Sequence, residues 1–154
     1  MKYIGNLSLI YKPTHGFLCS RSTKSNVILA SLDWAADMAR AEIPIMSTFH
    51  SKMEDSVLDI LIAGRCPVIL VLGRSIYKQL PEKLQPLYDA GRLLVISLSE
   101  QERISRESAL ICNEYICRMA DDVTFGFISP DSPLSELRNE ALQEKKNVYV
   151  LAQM

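Results

Sequence analysis

A three-layer α/β domain, built on a doubly wound parallel sheet of about six strands, is predicted for this chain of 154 residues. Three observations predict it. Short apolar runs alternate with segments of helical period along most of the chain, as repeated strand and helix units require. The run Pro67 to Gly73 (PVILVLG) is apolar without alternation, as expected of a central parallel strand covered on both faces. Polar stretches follow the first two strands directly and lead into helices, where the ligand loops of such sheets lie.

The elements follow in order. Gly16 to Ser20 (GFLCS) reads as a first strand that ends at Arg21-Ser22-Thr23-Lys24-Ser25-Asn26. Ile28, Leu32, Ala35 and Ala39 then recur at helical spacing, with Ser25 or Asn26 available as the cap. Ile43 to Ser47 is a strand, Thr48 to Lys52 a loop, and Glu54 to Ala63 a helix that packs through Val57, Leu58, Leu61 and Ile62. After Pro67 to Gly73, the segment Pro81 to Ala90 is a short helix distorted by Pro86 and ended by Gly91. Leu93 to Leu98 is the fourth strand. Ser105 caps a helix to about Ala120, with Ala109, Cys112, Ile116 and Met119 or Ala120 on its stripe. Val123 to Ile128 is the fifth strand, and Ser132-Pro133 starts a helix packed through Leu134, Leu137, Ala141 and Leu142. Val148 to Ala152 closes the sheet.

Right-handed crossovers between parallel neighbours give a Rossmann-like fold, with the expected strand order 3-2-1-4-5-6. Ligands of such sheets bind beyond the strand carboxyl ends where the order reverses, which singles out the loops after Ser20 and Leu98. Residues 1–14 are expected to be a leader and 15–154 the domain.

The whole-chain numbers fit one globular domain, with 48% apolar and 23% charged residues. No apolar run approaches the roughly 20 residues of a membrane span, and the start lacks the pattern of a signal peptide, so a cytoplasmic protein is expected. Cys19, Cys66, Cys112 and Cys117 are scattered without a CxxC pair, which reads as buried free thiols and no metal site. Residues 1–92 carry 11 Lys and Arg against 8 Asp and Glu, and residues 93–154 carry 6 against 10. That asymmetry admits a locally positive face.

The loop from Ser20 to Asn26 brings hydroxyls, Arg21 and Lys24 to a helix amino end, a setting for phosphate or for simple capping. It has no glycine, and neither GxGxxG nor a Walker lysine motif is present, so no cofactor is expected. Ser47-Thr48-Phe49-His50-Ser51-Lys52 places a ring, an imidazole and hydroxyls after a central strand. His50 and Glu54 form an acid and base pair on one reading, and a turn and a helix-dipole partner on the other. Cys19 with His50 has the parts of a nucleophile site, although Cys19 sits in an apolar strand. His15 lies near a strand start, at the other end of the sheet. Gly73 closes the third strand, and Arg74 is either a second phosphate ligand or a solvated side chain.

These pieces resemble the DprA/Smf DNA-processing family, within the Rossmann-like group that includes the Lonely Guy phosphoribohydrolases. Tyr3-Ile4-Gly5-Asn6 ahead of Cys19-Ser20-Arg21-Ser22 resembles the family's approach to its first strand and its Gly-Ser-Arg turn. Phe49-His50-Ser51 with Met53-Glu54, Gly73-Arg74-Ser75-Ile76, Ala120-Asp121 and Ser132-Pro133-Leu134-Ser135-Glu136 continue the likeness over nearly the whole chain. The departures bear on function. Cys112-Asn113-Glu114 stands where the family has Arg-Asn-Arg, whose two arginines help bind DNA, and losing them weakens attraction to a phosphate backbone. Ser47-Thr48 replaces an expected Ser-Gly, and the double glycine of the Lonely Guy group is missing.

The resemblance implies a non-catalytic domain that binds a nucleotide or single-stranded DNA. Ser20, Arg21, Ser22, Ser47, Thr48, Gly73, Arg74 and Ser132 would serve the phosphates, Phe49 would stack a base, and His50, Ser51 and Asn113 would orient the ligand. The alternatives are a small nucleotide or nucleoside hydrolase using His50 or Glu54, and a degenerate scaffold for protein contacts. No membrane partner is expected, and self-association through a sheet edge or helix face stays open.

Overall fold

The computed structural model describes residues 1–22 and 24–152. Thr23 of the first polar loop, and Gln153 and Met154 of the expected domain, lie outside the described residues. Among the described residues, seven strands form one sheet: β1 (Lys2–Gly5), β2 (His15–Leu18), β3 (Ile45–Ser47), β4 (Val68–Leu72), β5 (Leu93–Ser97), β6 (Asp122–Phe125) and β7 (Asn147–Val150). The helices are α1 (Ser25–Ala39), α2 (Lys52–Ala63), α3 (Gln85–Asp89), α4 (Arg106–Met119) and α5 (Pro133–Gln143).

Alternation along each strand builds two cores. Phe17, Ile45, Val68, Leu70, Leu72, Leu93 and Val95 face α1, α2 and α3, with Val27, Ala35, Val57, Leu58, Leu61 and Leu87. Leu18, Met46, Ile69, Val71, Leu94, Ile96, Val123 and Phe125 face α4 and α5, with Cys112, Ile116, Leu134 and Leu137. Both faces are covered, which is why the strands read as unbroken apolar runs. The packed stripe of α1 falls on Val27, Ser31, Ala35 and Ala39, while Ile28, expected inside, is at the surface. Leu142 is likewise exposed, while Ala141 is buried as expected and, of Met119 and Ala120, it is Ala120 that is buried.

The strand order is β1-β5-β4-β3-β2-β6-β7, and every neighbouring pair is parallel except β1 with β5. This corrects the expected order, which put the fourth predicted strand, β5, beside β2. In the structure β6 takes that place, with Leu18 opposite Phe125. The connection from β5 must therefore pass four strand positions, about 19 Å at ordinary sheet spacing. The 14 residues of α4 span about 21 Å and supply that reach.

The expected leader contributes a strand of its own. Tyr3 pairs with Ile96 in antiparallel register, and Gly5, at φ 98°, turns the chain where a side chain would strike the Leu93 carbonyl. The next residue, Asn6, donates its backbone N–H to that carbonyl at 2.8 Å. Among the described residues, no helix is long and apolar enough to cross a membrane.

Candidate functional site

The strand order reverses between β2 and β6, so the chain leaves these neighbours toward opposite faces of the sheet and opens a crevice beyond their carboxyl ends. Its volume is about 600 Å³. One wall is Cys19, Ser20 and Arg21 after β2, and another is Thr48, His50, Ser51 and Glu54 after β3. Gly73 follows β4 at its floor, α4 adds Arg106, Leu110 and Asn113, and Ser129 and Ser132 complete the side beyond β6. Parallel strands place the amino ends of their following helices on this same rim. The N-cap residues of α2, α4 and α5, respectively Ser51, Ser105 and Ser132, all line the crevice. Their free amides and dipoles favour an anion there. Arg21 and Arg106 are exposed at its mouth, and among the described residues neither is in an ion pair.

Glu54 fastens the two walls. Its Oε2 accepts the Cys19 N–H at 3.1 Å, and its Oε1 accepts the Thr48 hydroxyl at 2.6 Å and the His50 N–H at 3.2 Å. Its own N–H donates to Ser51 Oγ at 3.2 Å. Burial pushes its carboxyl above the ordinary range, while these hydrogen bonds pull in the other direction and only partly offset it. Across β2 and β6, the Ser129 N–H donates to Ser20 Oγ at 3.0 Å, and the Ser20 N–H donates to the Phe127 carbonyl at 2.8 Å. The α4 wall lies close because glycine follows β4: a Cβ on Gly73 would stand 3.0 Å from Ser108 Oγ and 3.3 Å from Cys112 Sγ.

Of the residues singled out from sequence, Ser20, Arg21, Thr48, His50, Ser51, Gly73, Asn113 and Ser132 meet in this crevice. Cys19 and Glu54 line it too, whereas Ser22, Ser47, Phe49 and Arg74 do not. Phe49 adopts a left-handed backbone, φ 47°, which turns its ring into the core at 5% exposure, so it has no face for a base. Ser47 is fully buried and its hydroxyl accepts the Phe49 N–H at 3.1 Å. Ser22 accepts the Lys24 N–H at 3.2 Å ahead of α1, whose N-cap is Lys24 rather than Ser25 or Asn26. Arg74 turns aside to the Ser75 carbonyl, with its guanidinium 5.4 Å from the Tyr77 ring centre. Ser132 occupies its N-cap position but gives its hydroxyl hydrogen to the Ser129 carbonyl at 2.6 Å.

The expected chemical pairs also resolve. His50 is exposed and meets Glu54 only through its backbone N–H, so the acid and base pair is not formed. Burial and the Glu54 charge push the Cys19 thiol up to about 12, which suits a packed thiol rather than a nucleophile. His15 lies at the opposite rim, buried, with its Nε2 2.5 Å from Thr124 Oγ1 and its ring 5.8 Å from Trp34. Among the described residues, no three His, Cys, Asp or Glu side chains gather to hold a metal. Sequence reasoning missed Ser105 and Arg106 as crevice residues, although Ser105 was readable as a helix start, and the starts of α2 and α5 line the same crevice.

The fold and its crevice define a Rossmann-like α/β domain with a switch-point cleft. No protein-family model matches the chain, and no curated protein matches it in sequence. Among solved structures, its fold is that of DNA processing protein A (DprA). It superposes on DprA of Streptococcus pneumoniae with a TM-score of 0.77 at 18% identity, covering 99% of this chain and 54% of that one. It also superposes on the single-stranded-DNA-binding DprA of Helicobacter pylori with a TM-score of 0.77 at 16% identity, covering 99% of this chain and 71% of that one. The chain thus spans about half the length of the pneumococcal structure.

Proposed function

We propose that the crevice binds single-stranded nucleic acid, or a nucleotide, through its phosphates and without catalysis, in a role linked to DNA processing. One observation carries the reading: three helix amino ends and two arginines, Arg21 and Arg106, in no ion pair among the described residues, converge on a single cleft at the sheet's switch point. Such a cleft suits a phosphate backbone. The DprA fold, and the single-stranded DNA binding of the Helicobacter pylori protein, support the same ligand class. Arg106 supplies a cation on the helix that lacks the two arginines around Asn113.

The non-catalytic character rests on side chains already committed elsewhere. Both Glu54 oxygens are engaged by the chain itself, and the Cys19 thiol is held protonated. Bases would lie against Ile104, Leu110 and Pro133, since Phe49 is turned inward. The test is fluorescence anisotropy with a labelled oligothymidylate, competed by unlabelled duplex of the same length and by thymidine monophosphate. Saturable binding displaced by single strands in preference to duplex is expected. No binding at low salt ends the proposal.

A further inference from the structure

Glu54 is a buried carboxylate in the wall of a cleft built for anions, an arrangement that the proposed function does not use. The cleft carries Arg21 and Arg106, while a negative charge beneath Thr48 opposes any phosphate near that wall. The Thr48 hydroxyl is half-buried, lines the cleft and spends its only hydrogen on Glu54 Oε1 at 2.6 Å. With Glu54 ionised, Thr48 therefore presents only lone pairs to a ligand.

We propose that Glu54 is the positioning residue of the cleft and takes up one proton from solvent when an anionic ligand binds. The neutral acid then donates its hydrogen to Thr48 Oγ, which frees the hydroxyl hydrogen of Thr48 to turn toward the ligand. The count balances: one proton enters, one hydrogen bond reverses direction, and no covalent bond changes. Both walls stay fastened, because Oε2 still accepts the Cys19 N–H and Oε1 keeps a lone pair for the His50 N–H. A fully buried carboxyl raised above its ordinary range is poised for this uptake.

The helix α1, packed against α2, carries Asp33 and Asp37, and the cleft lined by Glu54 adds further ionisable groups. The end of β2 contributes the Cys19 thiol and Arg21, the loop before α2 contributes His50, and α4 contributes Arg106 and Cys112. Lys52 and Asp55 are its neighbours on α2, and the lining residues from α5 carry no charge.

This inference rests on the phosphate-binding reading of the cleft. The full chain is titrated calorimetrically with a twelve-nucleotide oligothymidylate in two buffers of different ionisation enthalpy, at several pH values across the range in which circular dichroism shows it folded. The heat difference should report net proton uptake, and affinity should fall as pH rises, by up to about tenfold per unit at full coupling. Glu54→Gln, checked for folding by circular dichroism, should bind with that slope removed. His50→Gln should keep the slope whatever it does to affinity, which separates the imidazole from the carboxyl. Wild-type binding with equal heats in both buffers overturns the proposal while leaving the binding site standing. So does a slope that survives in Glu54→Gln or disappears in His50→Gln. Absence of binding at every pH removes the site itself and this inference with it.

Discussion

Replacing Arg21 and Arg106 together by alanine removes the two cations at the crevice mouth without touching the core, since both side chains are exposed. Each phosphate contact on a single strand contributes about 0.7 to the slope of log affinity against log salt. Loss of two contacts should therefore flatten the slope by about 1.4. Between about 50 and 200 mM salt, the wild type should lose about sevenfold more affinity than the double variant. The assay is oligothymidylate anisotropy over a salt series, with thermal melting to show that the fold is kept. Each single variant should account for about half of the change. An unchanged slope, or a change confined to one arginine, refutes the claim that both engage the same backbone.

Further outcomes follow from packing and charge. Lys146 Nζ donates to the carbonyls of Cys117, Arg118 and Ala120 at 2.7, 2.5 and 3.0 Å, capping the end of α4 with a cation. Lys146→Met should cost about 2 kcal/mol, a fall in Tm of roughly 4–8 °C by calorimetry. Phe49→Ala relieves a left-handed backbone only in part and empties a buried ring site; a loss of about 3 kcal/mol is expected in urea denaturation. All four thiols are pushed up by burial, Cys66 and Cys112 to about 11, Cys19 and Cys117 to about 12. An acid with a raised folded pKa binds more protons folded than unfolded, so stability should be intact below the ordinary thiol value of about 8.5 and fall as pH rises above it. Urea midpoints across that range check the sign, and native protein should resist thiol reagents at neutral pH until unfolded.

The layers of this fold were legible because burial on both faces leaves a pattern in the chain. Val68–Leu72 and Leu93–Ser97 carry almost nothing but apolar residues. The strand β1 was not legible: Lys2–Gly5 is largely exposed at a sheet edge, where alternation carries no core signal. Strand order was misread because connection length does not encode it. The segment between β5 and β6 is no longer than that between β2 and β3, yet it crosses the sheet where the other joins neighbours.

The site was legible wherever a polar residue followed a strand and stayed on the rim, as with Ser20, Arg21, Thr48 and Ser51. It failed at Phe49, where one positive φ inverted the side chain, and at Arg74, where a neighbouring carbonyl and ring drew the guanidinium away. Arg106 was missed because a first-turn residue on a distant helix reaches the rim only through the crossover of α4. The contacts of Glu54 needed coordinates, since its three carboxylate partners span both crevice walls.

Hydrogen–deuterium exchange with and without oligothymidylate tests the location of binding most directly. Slowed exchange should appear together in peptides holding Ser20 and Arg21, Thr48 to Glu54, Ser105 to Asn113, and Ser129 to Leu134, with His15 at the far rim unchanged. Protection of the far rim alone, or of the β1 edge, would contradict a ligand seated at the reversal of strand order.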